Sequence, residues 1–423
     1  MFTALLLAAA AAAAADAAPA ARPGEPGARG LAILAAKAIG CGAEGRDVVD
    51  RPVLLVRDGR IEAIGPAREL AIPAGYEVVD QGTRWLCPGF IDLHCHIAGG
   101  PGGLGDINDA VFLTNPELRA KVTVVPGNPL LKVAVAGGVT SVLYIPGSAT
   151  NMGGQGILLK TGLAKYEDMV IRDPGSLKLA QAGNPERWAI GVGRSLMNWN
   201  TRDTFERGVA YAKLRARAEE NGEAVPRDIQ WDVFPPLVAK EAQISTHTQR
   251  YQVVLATLTM VKKELGLDVF IDHGEWYGSK LAGYAAKLGV DAILGPRAVD
   301  PPSQILDTDG KILGIAASYQ QNGHPNVGFN TDSPVIPQEE LPLQAAVGVR
   351  YGFDDSRLDS LRGLTIVPAT TVGIAHRVGS LAPGKDADVL VTTGDPIDPR
   401  SAVELVWIEG VRVYDAAADG RIW

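Results

Sequence analysis

The chain has 423 residues, 46% of them hydrophobic and 21% charged, with a formal net charge of −8 at pH 7. This length and apolar content allow a large buried core and more than one domain. The acidic balance argues against nucleic acid or an anionic membrane as a partner, so a small-molecule substrate is expected and homo-oligomerisation stays open.

The chain starts MFTALLLAAAAAAAADAAPAARP. An apolar run followed by small residues and proline fits a secretory signal over residues 1–20, with cleavage candidates from Ala15 to Ala20. The run is shorter than the ~20 apolar residues that span a bilayer. Export, to a periplasm or beyond the cell, is therefore expected. No Lys or Arg precedes the run, and an alanine-rich tail is the competing explanation. Cysteine says little: Cys41, Cys87 and Cys95 are an odd number and imply no disulfide framework. Pairing of Cys41 with Cys87 stays open, and Cys95 reads as strand packing.

Residues 28–86 read as short strands and turns. RPVLLVRDGRIEAIGPA is an apolar run, a tight turn at Asp58-Gly59 and a second strand. The carboxyl end, 378–423, has the same character. DADVLVTT and AVELVWIEGVRVYD supply strands, with a turn at Glu409-Gly410.

Between these ends, residues 87–377 alternate strand with helix. Strands are expected at 89–96, 139–147, 153–161, 174–182, 242–249, 268–275, 290–296 and 326–333. PLLKVAVAGG, TFERGVAYAKLRARAEENG and YQVVLATLTMVKKELGL are among the intervening helices. Such alternation implies an α/β fold with a parallel sheet. Eight units close into a (β/α)8 TIM barrel, with the active site at the carboxyl ends of the strands. The long stretch 184–231 is a candidate lid.

The polar residues at those ends form a pattern. GFIDLHCH carries His94 and His96, which alternation puts on one face of the first strand. AQISTHTQ carries His247, DVFIDHGE carries His273, and NVGFNTDSP ends near Asp332. Lys178 sits among apolar neighbours on the fourth strand. Four of the six histidines thus fall at expected strand ends, joined by a carboxylate, and these are ligand types for zinc and related divalent ions. His324 reads as a loop residue, and His376 as packing or capping on a late helix. SATNMGGQG reads as a substrate-lining loop with Asn151 and Gln155 as candidates, since it lacks the ending of a P-loop. Arg297, at the end of the seventh strand, is a candidate partner for a substrate carboxylate.

PGFIDLHCH, His247, His273, NTDSP and the tail ATTVGIAHRVGSLAPGKDADVLV together resemble the amidohydrolase superfamily of metal-dependent hydrolases. The resemblance covers nearly the whole mature chain. It implies a catalytic barrel over 87–377 and a small β-sandwich domain built from 28–86 and 378–423. AQISTHTQ, the following helix and DVFIDHG resemble the imidazolonepropionase-like and prolidase-like branch. The implied ligands are His94, His96, His247, His273 and Asp332, for one or two divalent ions, zinc being expected. Lys178 resembles the lysine that, carboxylated, bridges two metals in binuclear members, with Lys160 as the competing candidate. Imidazolonepropionase itself is mononuclear and lacks this lysine. The implied activity is hydrolysis of an amide carbon–nitrogen bond, cyclic or of N-acyl, peptide-like kind, by a metal-activated water with Asp332 moving the proton. An Xaa-Pro-type dipeptidase is the first alternative. A deaminase is disfavoured because ISTHTQ lacks the usual strand-five glutamate. A non-catalytic barrel that only binds is the alternative of another class.

Overall fold

The computed structural model describes residues 30–42, 48–103, 105, 107–110, 112–187, 193–300, 312 and 314–422. The expected signal segment, residues 1–20, lies outside them.

Two sheets draw on both ends of the chain. One has four strands in the order Arg60–Pro66, Pro52–Arg57, Leu31–Leu34, Glu77–Asp80. The other has six, in the order Val411–Asp415, Val403–Ile408, Val389–Thr392, Trp85–Pro88, Lys37–Ile39, Val48–Asp50. Their facing side chains share one core, with Ile33, Leu54, Val56 and Ile61 against Leu86, Val389, Val391 and Trp407. Both expected turns form. Asp58 and Gly59 have φ of 50° and 74°, and Glu409 and Gly410 have the same pair of values. Two left-handed residues in a row are the signature of a type I′ hairpin. The two turns also touch. A Cβ on Gly59 would lie 2.7 Å from the Glu409 carbonyl oxygen, so glycine is required there.

The middle of the chain carries eight further strands: Phe90–Cys95, Val139–Tyr144, Met152–Lys160, Val170–Ala180, Gln243–His247, Ile271–His273, Ala292–Leu294 and Val327–Phe329. The first five form one sheet in sequence order, and the last three another. Parallel bridges Ile244–Val269 and Thr248–His273 join the fifth strand to the sixth. A further parallel bridge, Cys95–Ser333, joins the first strand to residues just past the eighth. Helices flank these sheets, a mixed α/β architecture. One of them, Pro129–Ala136, shows how the sequence starts a helix. The Asn128 side chain accepts from the Leu130 and Leu131 amides at 3.0 and 3.1 Å, and proline occupies the first turn.

The third strand departs from the expected parallel order. Met152–Lys160 runs antiparallel to both neighbours. The linker 145–151 is too short for a crossover helix, which needs a dozen residues or more, so the chain turns back on itself. Its amino end therefore lies beside the carboxyl ends of the other strands, and Lys160 lies at the far end. The candidate lid contains the helix Arg194–Glu220, which buries Phe205 and Val209 and sets Phe205 edge-on to Phe234 with centroids 5.9 Å apart. It is packed onto the body rather than standing over it.

Candidate metal centre

The first strand is buried along its whole length and ends with His94 and His96 on one side. The His96 amide donates to the Ser333 carbonyl at 2.9 Å, which brings the segment after the eighth strand alongside. Asp332 is left-handed there, at φ 49°. His94 Nε2 lies 3.1 Å from His96 Nε2 and 3.1 Å from Asp332 Oδ1, and His96 Nε2 lies 3.2 Å from the same oxygen.

The far sides of the two rings fix their protons. The Ile145 carbonyl, 2.8 Å from His96 Nδ1, can only accept, so Nδ1 carries the hydrogen. Asp272 Oδ2 stands 2.6 Å from His94 Nδ1, out of line for a good hydrogen bond but close enough to hold the proton on that nitrogen. Both Nε2 atoms are then lone pairs aimed at one another and at a carboxylate oxygen. Three acceptors this close repel unless a cation stands among them. Their spacing suits ligands ~2.1 Å from a shared ion, and an acceptor behind each ring is the usual support of a metal-binding histidine.

A second group adjoins the first. The Gly295 carbonyl takes the His273 Nδ1 hydrogen at 2.6 Å, and His273 Nε2 faces His247 Nδ1 at 2.9 Å. His247 Nε2 is buried without a hydrogen-bond partner. The His273 ring centroid is 4.7 Å from that of His94 and 4.4 Å from that of His247, so the histidines form one cluster. Lys178 Nζ lies 3.2 Å from His94 Nε2, and its side chain is fully buried.

Burial holds these groups in their metal-binding forms. It drives the His94 and His247 imidazoles well below their ordinary pKa, helped by neighbouring cationic groups, and takes His273 down to about 4. Burial also lowers the Lys178 ammonium, opposed by Asp272 and Asp332. For Asp332 burial works upward, but the surrounding imidazoles, His94 first, win and hold it well below the usual carboxylate range.

Three carboxylates escape a reading that looks only for histidines. Asp92 is buried in the first strand and accepts from the His94 amide, from Thr331 through both amide and hydroxyl, and from Gln338 Nε2. It ties the two strands that carry His94, His96 and Asp332, and burial pushes it up to about 7. Asp272 backs His94 and accepts from Asn330 at 2.9 Å; burial takes it to about 7 as well. Glu275, just after the sixth strand, is wholly buried with the Arg297 backbone and guanidinium as its neighbours, and burial raises it to about 8. A signal was available in FIDLH and FIDHGE: acids in or beside apolar strands are costly and need a purpose.

The remaining expected residues lie as follows. Arg297 is half-exposed, with Nε 3.6 Å from Glu275 and its guanidinium over Trp276. Asn151 and Gln155 are buried, and their amides are committed elsewhere. Asn151 bonds the Ala180 carbonyl, Thr201 and Asn200, and Gln155 donates to the Pro116 carbonyl. These contacts staple the loop to its surroundings and do not bring the two amides into the histidine cluster. Lys160 is paired with Asp388 and Asp386 at the opposite strand end. His324 is a loop residue bonded to the Val290 carbonyl at 2.8 Å. His376 is not on a helix, because the helix Ile366–Thr371 ends five residues earlier and His376 sits exposed in a turn. Cys41, Cys87 and Cys95 are buried and none forms a disulfide.

Comparison with known proteins agrees with this geometry. Residues 321–413 match the model of the Amidohydrolase family. Imidazolonepropionase from Methylobacterium sp. is 44% identical over 395 residues, covering 87% of this chain and 93% of that protein. Amidohydrolase tasK from Hapsidospora irregularis is 25% identical over 415 residues, and the chain spans 40% of its length. Among solved structures, an amidohydrolase from Thermotoga maritima superposes with a TM-score of 0.80 at 31% identity, over 90% of this chain and 100% of that one. The chain thus belongs to the amidohydrolase family, imidazolonepropionase-like in kind, and is a hydrolase of carbon–nitrogen bonds.

Proposed function

We propose that the protein hydrolyses an amide bond, cyclic or of N-acyl, peptide-like kind, at a divalent metal centre where the eight strands close into a (β/α)8 barrel. The bridges that join the two sheets support that closure. The observation that carries the reading is the meeting of His94 Nε2, His96 Nε2 and Asp332 Oδ1, three unprotonated ligand atoms within 3.2 Å of each other. A divalent ion held there, zinc by the nitrogen-rich donor set, would supply a water acidic enough to attack near neutral pH and positive charge for the carbonyl oxygen.

The chain's own residues do the rest. Asp272 and the Ile145 carbonyl lock the His94 and His96 rings, so no ring has to turn as substrate arrives. Asp332 keeps 15% of its side chain exposed where His94 keeps 1%, so it is the member of the trio that meets solvent. It takes the proton of the attacking water and passes it to the leaving nitrogen, which needs it because an amide anion leaves poorly. His247 Nδ1 and His273 Nε2 form a second donor pair beside Lys178. As a free amine, Lys178 can take up carbon dioxide and lose a proton, and the carbamate so formed would join the two donor groups in a two-ion centre. Catalysis is assigned to 87–377. Export with loss of residues 1–20 is proposed from the leading apolar run alone.

The test is turnover by metal-reconstituted protein on cyclic amides, N-acyl amino acids and Xaa-Pro dipeptides. Metal-dependent hydrolysis of at least one class is expected. A fully loaded protein that cleaves none of them would leave a binding protein.

A further inference from the structure

Three large apolar side chains stand in solvent on neighbouring segments: Phe112, Leu196 and Trp199 are 64%, 48% and 59% exposed. Their backbones are tied together at Asn151 and Met152, where the reversed strand Met152–Lys160 begins beside the carboxyl ends of the others. The Met152 amide donates to the Leu113 carbonyl at 3.2 Å, and Asn115 Nδ2 donates to the Phe112 carbonyl at 2.9 Å. Asn200 Nδ2 donates to Asn151 Oδ1 at 2.8 Å. Leu196 and Trp199 are three apart on the helix Arg194–Glu220 and so share a face. The start of that helix is fastened in turn to the edge of the metal cluster. Arg194 Nε and the Gly183 amide both donate to Glu186, at 2.8 and 3.0 Å. A Cβ on Gly183 would lie 3.5 Å from His247 Nε2.

The apolar exposure is local. Beyond the second turn the same helix carries ion pairs in solvent, Arg202 with Glu206 and Arg207 with Asp203. At these exposures the three apolar side chains offer on the order of 350 Å². Each partner in a stable dimer buries about 800 Å², so the patch is small for a second copy and large enough for one flexible apolar chain. The net charge of −8 turns away an anionic membrane. Position beside the cluster makes the covering chain part of what the cluster acts on. Building on the hydrolase reading above, we propose that Phe112, Leu196 and Trp199 form a shelf at the entrance to the metal centre that holds the acyl chain of an N-acyl substrate. The substrate class is then a medium-chain N-acyl amide rather than a small cyclic one.

Calorimetry on the metal-loaded protein with straight-chain carboxylates tests this without relying on turnover. A methylene fully withdrawn from water is worth about fourfold in affinity, and a shelf that covers one side of the chain should give about twofold. Octanoate, four methylenes longer than butanoate, should therefore bind about sixteenfold tighter. Leu196→Ser combined with Trp199→Ser should bring that ratio to about threefold or less, with butanoate affinity and metal content unchanged, and Phe112→Ser should lower it on its own. Val78→Ser removes an exposed side chain from the distant strand Glu77–Asp80 and should leave the ratio as it is. Melting curves check that the variants are folded. A wild-type ratio under about fourfold, a ratio that survives the double substitution, or one that Val78→Ser lowers as much overturns the assignment. So does a wild-type dimer on gel filtration that the double substitution makes monomeric, which would give the patch to a second copy. The probes hold no amide, so hydrolysis of the substrate panel without the chain-length preference removes this inference only. The preference without hydrolysis removes the hydrolase reading only.

Discussion

Lys160 and Lys178 lie on adjacent strands, and each side chain is at most 1% exposed. At the end where the parallel strands begin, Lys160 meets Asp388 and, at 3.1 Å, Asp386. Asp386 also meets Arg60 at 2.7 Å and Arg377 at 2.9 Å, and Arg377 meets Glu409. Every charge there has an opposite. At the carboxyl ends, the contact recorded for Lys178 Nζ is the ring nitrogen His94 Nε2, whose lone pair faces that of His96 Nε2. The same residue types are buried in both places, and only one place is satisfied by the protein itself. A closed ion-pair network needs nothing from outside, whereas convergent acceptors and an unpaired amine mark where something must bind.

The largest expected effect strikes the unsatisfied end. His94→Ala combined with His96→Ala should abolish turnover and lower metal content by at least one ion per chain. Full metal occupancy in that variant would break the contrast outright. Asp332→Asn keeps shape and should keep most of the metal, but it cannot take a proton. A loss of at least about 10² in turnover is expected, and a loss under about tenfold would pass the proton-transfer role to another group.

The two lysines give the direct comparison. Lys178→Ala should hold one ion or none where the wild type holds two, and added bicarbonate should help apo wild type to reload but not the variant. A wild type with a single ion per chain would make Lys178 structural. Lys160→Met should instead cost about 3–5 kcal/mol in denaturant unfolding, because it leaves the buried Asp388 without its counter-charge, with turnover per folded molecule unchanged.

The smallest effect sharpens the contrast by pH. Glu275 is raised from 4.5 to about 8, so the folded chain binds more protons than the unfolded one between those values. Its contribution to stability is therefore complete below about 4.5 and is lost as pH rises through about 8. Glu275→Gln should melt within error of wild type at pH 4.5 and several degrees higher at pH 9. Equal melting at both ends would mean that burial does not raise Glu275.

The sequence made the histidines legible because two signals coincide. Each lies at the end of a short expected strand, and alternation tells which side His94 and His96 share. The direction of the third strand was not legible, since GGQGILLKTG reads the same either way. Only the short linker 145–151 reveals the reversal, and with it the separation of Lys160 from the cluster. Asn151 and Gln155 drew notice through glycine-rich surroundings, but glycine also permits the tight packing that spends both amides on backbone partners. Asp92, Asp272 and Glu275 were hidden by adjacency, passing as strand filler beside more conspicuous histidines. What separates them from filler is burial and partners, which a linear pattern does not carry.

The partners of Lys160 carry a consequence for biosynthesis. Asp386 and Asp388 lie just before the strand Val389–Thr392, which also hydrogen-bonds Trp85–Pro88, the strand leading into His94. A chain that has emerged only as far as Asp332 already holds all six residues of the candidate metal cluster. It has not yet delivered the counter-charges for Lys160 or the neighbour for Trp85–Pro88. Until those arrive, a buried ammonium is uncompensated and a strand edge lies open to pairing with other chains. Completion of the fold thus waits for residues 386–392. Until then the chain is most exposed to pairing with other chains, although the strands around the candidate metal centre can already form.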